Sequence, residues 1–80
     1  MTNIQLMRNS QAFQHMGISR STFYSQIKTG LLPQPIRLGP NSVAWLKHEL
    51  DAVLSARICG YDDDALQELV TNLISERQNY

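Results

Sequence analysis

The chain has 80 residues, 42% of them hydrophobic, and seven Lys/Arg against seven Asp/Glu. That length allows one small domain with a modest core, and that hydrophobic content excludes a disordered chain. No apolar run approaches the roughly 18 residues of a membrane helix, so no membrane role is expected, and the Met1–Gln5 start does not read as a signal peptide.

The zero net charge hides two poles. Residues 1–60 carry six cations against Glu49 and Asp51, a net of +4, and residues 61–80 carry Arg77 against five acids, a net of −4. A basic body with an acidic tail suggests an anionic partner for the body. The lone Cys59 rules out a disulfide framework within the chain and fits a reducing compartment. The expected location is therefore the cytoplasm, in association with the nucleoid.

In chain order, residues 1–7 suggest a brief strand. Ser10 is expected to cap a short helix over residues 11–16 whose apolar side is Ala12, Phe13 and Met16, and Gly17 to stop it. Ser19 is expected to cap a second helix that runs to about Thr29, with Gly30 beyond it. Phe13, Ile18, Phe23 and Ile27 can then converge on one small core. Two short helices joined by a glycine-containing turn have the form of a helix-turn-helix.

Pro33 and Pro35 end helical structure. Ile36-Arg37-Leu38 alternates as a half-buried strand does, Gly39-Pro40-Asn41-Ser42 is turn chemistry, and Val43-Ala44-Trp45 reads as the return strand, with Trp45 in the core. A hairpin directly after a recognition helix is a wing. Leu46–Ile58 follows as a third helix with Leu46, Leu50, Val53 and Leu54 on one stripe, and Arg57 suits its last turn. Residues 62–78 form a fourth helix, with three aspartates at its start. Its face of Leu66, Leu69, Val70, Leu73 and Ile74 either folds back on its own domain or pairs with the same helix of a second copy.

The expected fold is mainly α with a small β-hairpin: a winged helix-turn-helix over residues 1–60 plus an acidic amphipathic helix over 61–80. On a helical wheel, the second helix sets Phe23 and Ile27 inward. Ser21, Thr22, Ser25, Lys28 and Thr29 face outward, flanked by Arg20 and Tyr24. Hydroxyls and lysine suit phosphates, and arginine suits the O6/N7 edge of guanine. Arg37 points out of the wing, and Asn41 and Ser42 sit at its tip. His15, His48 and Cys59 share no metal-ligand spacing, and phosphate-binding glycine motifs are missing, so neither a metal, a cofactor, a small-molecule ligand nor an enzymatic activity is expected.

The residues Gly17-Ile18-Ser19-Arg20-Ser21-Thr22-Phe23-Tyr24, Ile27-Lys28-Thr29-Gly30, Pro33–Gly39, Ser42–Trp45 and Glu49–Ala52 closely resemble the AlpA family of small prophage regulators. That family is related to excisionases and to the MerR-like winged-helix proteins. The resemblance covers about residues 6–58. It implies a DNA-binding transcriptional regulator of a bacterium or prophage, or a factor directing prophage excision. Ser19 would cap the recognition helix, Arg20, Ser21, Thr22, Tyr24 and Lys28 would meet double-stranded DNA, and Arg37 would sit on the wing. This chain departs from the family pattern at Met16, Ser25, Gln26, His48 and Val53, and the departures at Ser25 and Gln26 imply a different base preference. Helix 62–78 lies beyond the resemblance. A module that binds protein through that helix is the alternative.

Overall fold

Residues 4–79 are described in the computed structural model of the chain, so the first three residues of the expected N-terminal strand lie outside it. The strand itself is two residues long, β1 (Leu6–Met7). The first helix, α1 (Asn9–His15), starts earlier than Ser10 predicted. Arg8 occupies the cap position, and the Gln11 side chain reaches back to accept from the Arg8 amide at 3.1 Å. A glutamine at the third helical position can satisfy that amide, so no serine cap is needed there.

Gly17, at φ +73°, turns the chain into α2 (Arg20–Lys28). Ser19 caps it as expected, its hydroxyl oxygen accepting from the Thr22 amide at 3.3 Å. Gly30, at φ +83°, releases the chain into a connector in which Leu32 and Pro33 are buried.

The wing is β2 (Ile36–Gly39) paired antiparallel with β3 (Ser42–Leu46). Its register pairs Ile36 with Ala44, Arg37 with Val43 and Gly39 with Ser42, so Leu38 is the extra residue of a bulge. That corrects the simple alternation read for Ile36-Arg37-Leu38: Leu38 is 46% exposed, because a bulged residue leaves the two-residue period of the pleat. Strand β1 pairs antiparallel with the other edge of β3, Leu6 opposite Leu46 and Met7 opposite Trp45, giving a three-stranded sheet in the order β1-β3-β2.

Strand β3 runs directly into α3 (Lys47–Ile58). Leu46 therefore belongs to the strand end rather than to the helix, although it is buried as its place in the stripe implied. Gly60, at φ +86°, turns the chain into α4 (Asp63–Glu76). Asp62 caps that helix by accepting from the Ala65 amide at 2.8 Å, and Asp63 and Asp64 lie in its first turn. Helix α4 is shorter than the expected 62–78, because residues Arg77–Asn79 tighten into a 3-10 turn.

The core is centred on Phe23. Its ring lies 5.0 Å from Trp45 and 6.3 Å from Phe13, edge-on and tilted respectively, with Leu32, Leu50 and Val53 fully buried around them. Such tilted aromatic packing is the preferred geometry of ring pairs. Phe13, Ile18 and Ile27 pack against this cluster half-buried, so the four residues expected to converge do so. Helix α4 adds Leu66, Val70 and Leu73 to the same cluster, with Leu69 and Ile74 half-buried beside them. The five-residue stripe is thus covered mostly by its own domain.

Candidate nucleic-acid interface

Helix α2 buries one side and leaves the other open. Phe23 is fully buried, whereas Ser19, Arg20, Ser21, Thr22, Tyr24, Ser25, Lys28 and Thr29 are all exposed. The helix start is organised by its own hydroxyls. Ser19 Oγ donates to Thr22 Oγ1 at 2.9 Å and lies 3.4 Å from Ser21 Oγ. This cluster sits where the first free amides of α2 point out of the helix, and such amides together with the helix dipole attract an anion.

Arg20 and Tyr24 form a unit. The Arg20 guanidinium carbon lies 5.8 Å from the centre of the Tyr24 ring, a cation–π distance. The ring meets Phe23 edge-on at 5.6 Å and Trp45 at 6.1 Å, and the Tyr24 hydroxyl accepts from Asn9 Nδ2 at 3.4 Å. Tyr24, expected to meet DNA, also lies beneath Arg20 and packs α2 against the wing strand. Arg37 is exposed in the wing opposite Val43, itself 38% exposed. Asn41 occupies the wing tip at φ +60° after Pro40, the pattern of a type II turn, which favours Gly or Asn at that position.

The electrostatics are asymmetric. Both acids of residues 1–60 are taken up internally: Glu49 by Arg77, and Asp51 by Lys47 Nζ at 2.8 Å and His15 Nε2 at 2.5 Å. Hydrogen bonding from Lys47, then from His15, holds the Asp51 carboxyl below its usual range. By contrast, Arg8, Arg20, Lys28 and Arg37 make no ion pair with an acid among the described residues. An unpaired cation keeps its full field for an outside anion.

Two features escaped the reading of the sequence. One is the Glu49–Arg77 clamp. Glu49 is fully buried and accepts from Arg77 Nε at 2.8 Å and Nη2 at 2.6 Å. Its signal was present, since Glu49 stands three residues after Leu46 and four before Val53, on the apolar side of α3. The other is Arg57, expected to serve the dipole of α3. It does stand in that last turn, and it also donates from Nη2 to Gln26 Oε1 of α2 at 2.6 Å, while burial lowers its pKa. Nothing local marks a partner 31 residues away.

Two short helices with a capped, outward-facing second member, followed by a β-hairpin, define a winged helix-turn-helix. The family described as Prophage CP4-57 regulatory protein (AlpA) matches residues 5–58, and the chain belongs to that family of prophage regulators. It is also similar to the uncharacterized protein ORF88 of Enterobacteria phage P4, at 37% identity over 59 residues, which span 74% of this chain and 67% of that protein. No solved structure matches it significantly. None of the described helices is long and apolar enough to cross a membrane, and no group of three or more potential metal ligands occurs among the described residues.

Proposed function

We propose that the protein is a sequence-specific DNA-binding transcriptional regulator, with α2 in the major groove and the wing on the backbone or minor groove. The observation that carries this reading is the unpaired state of Arg20, Lys28 and Arg37, set on the outward helix and the wing, while Glu49 and Asp51, the two acids of residues 1–60, are engaged within the fold. Arg20 reads a base edge, the hydroxyls of Ser19, Ser21, Thr22 and Ser25 with Lys28 hold phosphates, and Arg37 and Asn41 hold the backbone beside the wing. A factor directing prophage excision would use the same face, and the position of the bound site, at a promoter or beside a recombination site, separates the two.

The test is selection of bound duplexes from a random DNA pool with the full chain. A recovered motif, lost when Arg20→Ala is used for the selection, supports the reading. A pool that stays random through the rounds, with no retention above background, contradicts it and leaves α4 as a protein-binding surface. Pairing of Leu66, Leu69, Val70, Leu73 and Ile74 with a second copy would strengthen the small interface of one winged module, roughly 600–1,000 Å². Only Leu69 and Ile74 retain appreciable exposure for it.

A further inference from the structure

The chain between the outward helix and the wing is held from behind at three points. Arg57 of α3 donates to the Gln26 side chain in α2, Gln67 of α4 donates from Nε2 to the Thr29 carbonyl at 2.9 Å, and Arg77 donates from Nη2 to the Gln34 carbonyl at 2.7 Å. The ties to Thr29 and Gln34 fall where the backbone lacks other support. Thr29 is the C-terminal cap of α2, whose last carbonyls have no partner within the helix. Gln34 stands between Pro33 and Pro35, neither of which has an amide to join a ladder. Arg77 is itself fixed, because its fork closes on the fully buried Glu49 carboxylate. A bidentate pair sets orientation as well as proximity.

Gln67 and Arg77 both lie outside the 5–58 family region. We infer that α4 and its terminal turn are a brace, in which Gln67 and Arg77 are positioning residues that fix the wing relative to α2, so that both engage one duplex at once. Its consequence for binding rests on the function proposed above. The brace itself does not.

The test uses the full chain and the paired substitutions Gln67→Ala and Arg77→Lys. Lysine keeps a cation for Glu49 but lacks the fork, Nε and Nη2 together on the carboxylate, that aims Arg77 Nη2 at the Gln34 carbonyl. Amide hydrogen exchange and affinity for a site selected from random duplex DNA are measured, the latter with and without Arg37→Ala. The brace predicts that amides of residues 36–46 exchange about tenfold faster while those of 50–56 follow only the global stability. It also predicts that Arg37→Ala costs at least about threefold less affinity in the paired variant than in the wild type, because a wing out of place no longer delivers Arg37. Unchanged wing exchange, or equal Arg37 effects in both backgrounds, overturns the inference. If the paired variant loses its cooperative melt, Gln67→Ala alone, at an exposed position, carries the same readouts. A wild-type chain that binds no duplex overturns the proposed function instead, and the exchange result then decides the brace by itself.

Discussion

Arg20 opens α2 with its guanidinium over the Tyr24 ring, and that ring rests on the core aromatics. A restrained arginine loses less freedom on binding than a free one. Arg20→Ala is expected to cost about 1–3 kcal/mol at the preferred site and less on random duplex. Equal losses on both would make Arg20 a phosphate contact only. Glu49 gives a prediction of stability. Removing its carboxylate leaves Arg77 only 19% exposed without its counter-ion. Breaking a buried pair in this way costs about 3–5 kcal/mol, so Glu49→Ala should lower the denaturation midpoint strongly. A near-neutral result would show that water replaces the pair. For Asp51 the sign follows from its lowered pKa. Its pairs stabilise the fold above the ordinary carboxylate pKa of about 3.9, and that contribution is lost as pH falls through the lower folded value. Urea midpoints of wild type and Asp51→Asn should therefore differ at neutral pH and converge in strong acid. A constant gap would assign the effect to packing. At this scale, exposure of the outward residues was readable from helical period alone, since Phe23 fixes which side is inward. The pairings of Glu49 and Arg57 were not, because they depend on how α3 lies against α2 and the terminal turn.

The elements follow their local chemistry where that chemistry is unambiguous. Ser19 and the glycines at 17 and 30 set helix ends as read from the sequence, because caps and left-handed residues act within one turn, whereas Asp62, read as the first residue of the fourth helix, is its cap. The start of α1 was misplaced by two residues, since Gln11 supplies the closing contact that Ser10 seemed to offer. The bulge at Leu38 was not legible either, because it exists only in the register between two strands. The wing tip carries a specific expectation. Asn41 at φ +60° adopts a conformation that alanine resists and glycine accepts, so Asn41→Ala should destabilise by about 1 kcal/mol while Asn41→Gly stays close to wild type. Thermal melts of the two variants check this, and equal melting would mean that the Asn41 side chain, not its backbone, matters. Arg37→Ala, on the same hairpin, should weaken binding evenly across sequences and lower the salt slope by about one.

Across the whole molecule, internal pairs consume Glu49 and Asp51, and Arg20, Lys28 and Arg37 of α2 and the wing form no ion pair with the acids of α4 among the described residues. The acidic tail would be repelled by a duplex, which orients it away from the bound face. Of the two fates open to the α4 stripe, packing on its own domain has its contacts in place: Leu66, Val70 and Leu73 are buried there. Leu73→Asp should therefore unfold the chain rather than yield a folded monomer, and the wild type should sediment as a monomer at concentrations on the order of tens of micromolar. A dimer mass that disappears with Leu69→Asp would assign the half-buried remainder of the stripe to a second copy. The central claim is that the α2–wing face binds duplex DNA through its unpaired cations. Equilibrium binding to a selected site, measured across a range of salt concentrations, tests it most directly. With Lys28 and Arg37 on phosphates and Arg20 on a base edge, log K should fall linearly with log salt at a slope of about −2, near −0.9 for each phosphate neutralised. Binding that is indifferent to salt, or absent at low salt, would contradict it.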